Sequence, residues 1–168
     1  AQENISTAIK VFETLGFDFE KHKKALTKIN WPGRMQPVSW PDLQSPVYLS
    51  GDHNPQGIES LIEILKSYQY ENLHLIVGIG VDKSGDEMLR QILNIPRVKL
   101  YLTETPFKGR QVEDYPEFAK KAAVMIDRNI LSILNKIQPA SHDMTVVTGS
   151  LYLVGNVLKS ISKISSIK

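Results

Sequence analysis

The sequence predicts an α/β domain: a Rossmann-like, mostly parallel sheet flanked by helices. Three observations carry this. Leu73 to Val77 is a nearly unbroken apolar run, as expected of a strand covered on both faces. From Arg34 onward, strand-like runs alternate with segments of helical spacing, which implies parallel strands joined by right-handed crossovers. Pro46 to Leu65, PVYLSGDHNPQGIESLIEIL, has the pattern of a strand, a turn and a helix. In that segment Ile58, Leu61, Ile62 and Leu65 recur at helical spacing. Asn54 is a good N-cap, and Pro55 suits the first helical position because its missing N–H would have no intrahelical partner.

The elements follow in order. Ile5, Ala8, Ile9, Phe12 and Leu15 form one helical stripe, with Gly16 as its C-terminal stop. Asp18 to Ile29 has a poorer apolar face (Phe19, Ala25, Leu26, Ile29) and predicts a second short helix, broken by Trp31-Pro32-Gly33-Arg34. Arg34 to Ser39 alternates as a strand does, and Pro41 to Ser45 is a loop. After the strand–turn–helix unit come the strand Leu73 to Val77, a helix marked by Met88, Leu89, Ile92 and Leu93, and a strand from Val98 to Leu102. Phe118 to Ile137 predicts one long helix or two, with Ala122, Met125, Ile126, Ile130 and Leu134 buried. Met144 to Val147 is a strand and Leu151 to Ile161 a last helix.

Composition narrows the classes. With 168 residues, 42% hydrophobic and 23% charged, the chain reads as one globular domain with an appended element. A formal charge of +2 is too small to imply a nucleic-acid partner. The absence of cysteine excludes disulfides, thiolate metal sites and a cysteine nucleophile. No apolar run approaches a membrane span and no signal peptide is visible, which fits a cytoplasmic protein. The chain begins without Met inside a helical pattern, so the expectation is a piece of a longer protein.

The turn Gly51-Asp52-His53-Asn54-Pro55 places Asp52 and His53 at a strand's C-terminal end, against a helix N-terminus. Open α/β sheets bind ligands there, and free backbone N–H groups attract anions. An ordinary turn with a solvated Asp and His is the alternative. Gly149-Ser150 repeats the arrangement, with Ser150 at least an N-cap. Gly78-Ile79-Gly80-Val81-Asp82-Lys83-Ser84-Gly85 approaches a P-loop, but Asp82 stands where the glycine before the lysine belongs and would repel a phosphate. His22, His53, His74 and His142 show no metal-ligand spacing, and only His53 has a site-like location. His74 reads as a packed core residue. Arg34, in a Pro-Gly turn, suits an anion or a purine face. Lys108-Gly109-Arg110 reads as a solvated basic loop.

Together, Trp31-Pro32-Gly33-Arg34, Leu49 to Pro55, Asp82-Lys83 and Gly149-Ser150-Leu151-Tyr152-Leu153-Val154-Gly155 occur in order with suitable gaps. Their combination resembles the C-terminal part of folylpolyglutamate synthase/dihydrofolate synthase, a branch of the Mur ligase superfamily. The resemblance covers Gln2 to Leu158. It implies that residues 1–30 are the terminal helices and linker of a preceding ATPase domain, and residues 31–168 a Mur ligase C-terminal, glutamate ligase domain. It further implies an ATP-dependent ligase that joins L-glutamate to dihydropteroate or a folate through an acyl phosphate. The partner is then the chain's own N-terminal ATPase domain, which carries the P-loop and most of the magnesium site.

Carried over residue by residue, Asn4 matches an asparagine that contacts adenine, and Arg34 matches the nucleotide-binding arginine of the WPGR motif. His53 matches the turn histidine near the transferred phosphate and the glutamate site, which implies a catalytic and substrate-binding role. Ser150 matches a serine that is a candidate glutamate contact. One departure stands out. The family turn usually reads Asp-Gly-Ala-His-Asn-Pro, with its aspartate on the nucleotide; here that position is Ser50, and an aspartate follows at Asp52. Either Asp52 takes over the nucleotide contact from Ser50, or it only complements the helix N-terminus. Two other readings remain: a peptidoglycan-type Mur ligase domain, and a non-catalytic Rossmann-like binding module.

Overall fold

The computed structural model describes residues 2–28, 31–41, 43–81 and 84–165; for residues 2–4, 26–28 and 164–165 it describes the backbone alone. The chain divides into two units, Ala1–Pro32 and Gly33–Lys168. Among the described residues no helix is long and apolar enough to cross a membrane.

In the first unit, helix α1 (Gln2–Thr14) ends as expected. Gly16 takes a left-handed φ of +84°, and the N–H of Phe17 returns to the carbonyl of Phe12 at 3.2 Å. Its apolar stripe is mostly uncovered: Ile5 and Leu15 are exposed, while Ile9 and Phe12 are half-buried. The expected second helix is shorter than its pattern. Asp18 caps α2 (Phe19–His22) through the N–H of Lys21, but the chain then tightens into a 3-10 helix over Lys23–Lys28. Ala25 is exposed and Phe19 only half-buried, so little apolar burial extends the α-helix. Ile29 and the side chain of Leu26 lie outside the described residues.

The second unit is a six-stranded sheet with helices on both faces. Its elements are β1 (Gln36–Val38), β2 (Val47–Leu49), α3 (Pro55–Leu65), β3 (Leu73–Val77), α4 (Gly85–Leu93), β4 (Val98–Leu102), α5 (Glu117–Ala122), β5 (Ala123–Ile126), α6 (Ile130–Lys136), β6 (Met144–Thr148) and α7 (Leu151–Ser165). The strand order is β1-β2-β6-β3-β4-β5, and only β1 runs antiparallel to its neighbour. Alternation along the strands feeds two cores. Leu73, Leu75 and Val77 pack with α3, α4 and α5; Ile76 and Val147 pack with α6 and α7.

One element departs from the sequence expectation. Ala122, Met125, Ile126, Ile130 and Leu134 fit a helical stripe, yet Ala123–Ile126 is the edge strand β5, paired with β4. Ala122 and Ile126 are therefore exposed and Met125 is half-buried, whereas Ile130 and Leu134 are buried on α6 as expected. Asp127 and Asn129 separate strand from helix: Asn129 caps α6 through the N–H of Leu131, and Asp127 accepts from the N–H of Asn129. A short edge strand adjoining a helix carries too few residues for its period of two to show.

The N-terminal end of the sheet is closed by a buried polar network. Tyr101 donates its hydroxyl to Nδ1 of His74 at 2.8 Å, and Nε2–H of His74 donates to Asp143 at 3.1 Å. Asp143 also accepts from the backbone and side-chain amides of Asn72 and from the N–H of Ala140. Burial raises the pKa of Asp143, but these hydrogen bonds outweigh it and hold it at about 2. Burial lowers the pKa of His74, and the charge of Lys99 adds to that against the pull of Asp143. Protonating His74 would also place a second donor against the Tyr101 hydroxyl. A buried neutral histidine makes the unfolded chain the better proton acceptor below its ordinary pKa of 6.5, so stability falls as pH drops through that value. Protonation of Asp143 removes more as pH falls toward about 2. We expect melting temperature to decline from pH 7.5 to pH 5 in calorimetry, and the decline to shrink in His74→Gln; an unchanged slope in that variant would remove His74 from the account.

Candidate functional site

The C-terminal ends of β2, β6 and β3 meet through backbone contacts that glycines permit. Beyond β2, the N–H of Ser50 bonds Val147 at 2.9 Å, and the N–H of Gly51 bonds the carbonyl of Gly33 at 2.7 Å. That draws the Gly33 turn onto the strand end. Gly33 sits at φ +72° and Met35 at φ +47°, the sharp bend that ends in β1. The carbonyl of Asp52 accepts from the N–H of Gly149 at 2.9 Å and from Oγ1 of Thr148 at 3.3 Å.

This bend brings Arg34 to the turn. Oγ of Ser50 donates to Oδ2 of Asp52 at 2.6 Å, and Nη1 of Arg34 approaches Oδ1 at 3.5 Å. Ser50 and Asp52 are buried while the Arg34 side chain is half exposed. Residues two apart on an extended segment do share a side here, and Ser50 is tied to Asp52 rather than independent of it. Asp52 does not cap the helix: Asn54 does, accepting from the N–H of Gly57 at 2.7 Å.

Half-buried His53 holds its ring by Nδ1, 2.9 Å from the carbonyl of Gly51. A carbonyl only accepts, so Nδ1 carries the proton and Nε2 of the neutral ring is left to act as a base or acceptor. Ser150, buried at the start of α7, accepts from the N–H of Tyr152 at 3.1 Å and donates to Oγ1 of Thr105 at 3.3 Å. His53 and Ser150 line one cleft of about 290 Å³ with Gly80, Phe107, Lys108, Gly149, Leu151 and Tyr152. It opens where the chain switches direction across the sheet, with α3 leaving from one strand and α7 from another.

Thr105 and Phe107 carry no signal in the sequence, and Lys108 reads there only as part of a solvated basic loop. All three belong to the loop after β4, whose glycine, Gly109, lies seven residues beyond the strand end rather than directly after it. Tyr115 fixes that loop from below, its hydroxyl donating to Thr103 at 2.8 Å and accepting from the N–H of Ile79 at 3.1 Å. Burial pushes its phenol up to about 12. The basic loop is divided: Arg110 is largely covered and paired with Asp86 at 2.8 Å, so it is not the solvated residue its sequence context implies. Asn4 lies on α1 in the first unit, and its side chain is outside the described residues, as are Asp82 and Lys83 of the near-P-loop segment. Among the described residues no three His, Asp or Glu side chains gather to hold a metal ion.

The glycines differ in what they tolerate. A Cβ on Gly149, already at φ +101°, would stand 2.5 Å from the Gly78 carbonyl oxygen, whereas one on Gly51 would meet the end of the half-exposed Leu151 side chain, which can swing away. We expect Gly149→Ala to cost more than the roughly 1–3 kcal/mol of backbone strain alone, and Gly51→Ala distinctly less. Urea unfolding of both variants checks this; equal losses would contradict the contact.

A family model described as the dihydrofolate synthetase C-terminal domain matches residues 35–160. A dihydrofolate synthase/folylpolyglutamate synthase of Bacillus subtilis is 24% identical over 84% of this chain and 33% of its own length. The solved folylpolyglutamate synthase of Thermotoga maritima is 30% identical, with a TM-score of 0.64 over 90% of this chain and 36% of that one. A bifunctional folylpolyglutamate synthase/dihydrofolate synthase solved with Mn, AMPPNP and L-glutamate is 21% identical, with a TM-score of 0.66 over 79% of this chain and 32% of that one. The chain thus spans about a third of the length of these relatives. With the model matched across the whole sheet and the strand-end turns, the chain belongs to the dihydrofolate synthetase C-terminal domain family.

Proposed function

We propose that this chain is the C-terminal part of an ATP-dependent ligase that joins L-glutamate to dihydropteroate or a folate. The observation that carries the reading is the juxtaposition at one sheet end of the Arg34–Asp52–Ser50 cluster with the His53 and Ser150 cleft; all of these residues but Arg34, which immediately precedes it, lie in the segment the family model matches. Residues 1–30 are assigned to the end of the preceding ATPase domain. The uncovered stripe of Ile5 and Leu15 on α1 supports a neighbour that buries it.

In this reading Arg34, with its half-exposed guanidinium, binds the nucleotide. Asp52 takes the place of the family's usual aspartate, oriented by the Ser50 hydroxyl. ATP supplies the phosphoryl group that activates the acceptor carboxylate, and its magnesium is held mainly by the ATPase domain. His53, with Nε2 free, lies beside the reacting groups, and Ser150 helps hold glutamate. Asn4 is assigned to the adenine.

The chain alone should release no phosphate from ATP, since half a cleft cannot stabilise a phosphoryl-transfer transition state. The full-length protein should form ADP only with L-glutamate and a dihydropteroate or folate acceptor; turnover with nucleotide-sugar peptides instead would move it to the peptidoglycan branch, and ligand binding without turnover would make it a binding module. Arg34→Ala in that protein should cost roughly ten- to hundred-fold in kcat/KM for ATP with little change in melting temperature. Asp52→Ala should impair ATP use more than Ser50→Ala. A lower melting temperature with normal ATP kinetics would leave Asp52 a structural residue.

A further inference from the structure

The cleft beside His53 holds a cation that none of these roles uses. Among the described residues lining it, Lys108 is the only one with a full charge and none is a carboxylate. Lys108 has no ion pair among the described residues; its Nζ lies 5.6 Å from the centre of the Phe107 ring, a contact that leaves its three donors available. Arg110, two residues on, is by contrast committed to Asp86.

The backbone under Lys108 is fixed from both sides. The N–H of Val81 bonds its carbonyl at 3.0 Å, and Gly80 and Gly109 form a bridge. Gly109 is packed so closely that a Cβ would stand 2.4 Å from the carbonyl oxygen of Thr105. Lys108 itself is held at φ +46°. Phe107, against Tyr152 at 4.9 Å, continues the wall toward α7.

We propose that Lys108 is a specificity-determining residue whose ammonium group pairs with the side-chain carboxylate of the incoming amino acid, selecting an acidic amino acid over an uncharged one. The proposal rests on the glutamate-ligase reading. The α-carboxylate is two bonds from the attacking amine, so, with Ser150 holding that end of the amino acid as proposed above, both lie toward the buried end of the cleft. The side-chain carboxylate extends further and reaches the exposed rim, where Lys108 stands.

The test uses the full-length ligase and compares wild type, Lys108→Met and Lys108→Arg by ADP release, with L-glutamate, its neutral isostere L-glutamine, and ATP each varied. We expect Lys108→Met to raise the KM for glutamate about ten- to hundred-fold, to leave the KM for ATP and for glutamine within about twofold, and so to erase the preference for glutamate. Lys108→Arg should restore much of it. Equal increases for glutamate and glutamine, an effect on ATP alone, or no effect would each overturn the proposal while leaving the ligase reading standing. A wild-type protein with no glutamate-dependent turnover would overturn the ligase reading instead, and this proposal with it.

Discussion

The functional end of the sheet depends on the close backbone approach of Gly149 to Gly78, which come from two neighbouring strand ends. That approach lets β6 turn into α7 directly against the end of β3, with no side chain between. The same turn presents the N–H of Gly149 to the carbonyl of Asp52 and so fixes the β2 turn in turn. Arg34, Asp52, His53 and Ser150 thus come from three strand ends but share one rigid backbone frame. Side-chain placement within such a frame needs few direct contacts, which is why Ser50 to Asp52 and His53 to Gly51 suffice.

The two ends of the sheet are built on different principles. At the N-terminal end, His74, Tyr101, Asp143 and Asn72 satisfy one another under cover. A buried network of this kind is stable only when complete, and it leaves nothing over for a ligand. At the C-terminal end glycines replace side chains, and the polar groups that remain, Nε2 of His53 and the ammonium of Lys108, have surplus capacity. Rigidity is thus placed at one end and available chemistry at the other.

Much of the fold was legible in the sequence because its signals are local. The five-residue apolar strand Leu73–Val77, the Asn54-Pro55 helix start and the Gly16 stop each depend on neighbours in the chain. Strand β5 was not, because its four residues extend a stripe that a helix would use equally well, and only pairing with β4 decides between them. Within the candidate site, Arg34, Asp52, His53 and Ser150 stood out through glycine and cap chemistry at their turns, and Ser50 only as a departure from the family turn. Thr105 did not, and Lys108 read only as part of a solvated basic loop, since their place depends on how Tyr115 and the Gly80–Gly109 bridge fold the loop after β4 over the cleft. Information of that kind is spread over residues far apart in sequence.

The strand order has a consequence for how the molecule comes into being. The last strand in the sequence, β6, lies between β2 and β3 in the middle of the sheet. Until residues 144–148 have left the ribosome, β2 and β3 cannot be bridged, and each presents an open edge of the kind that pairs with foreign strands. Such long-range closure is slow relative to local hairpins and helices. The half-made sheet is therefore the vulnerable species, and a chain cut short before β6 would lose the middle of its sheet rather than a peripheral strip. Synthesis is safest when α7 follows at once, because its Leu153, Val154 and Val157 seal the face of the newly inserted strand.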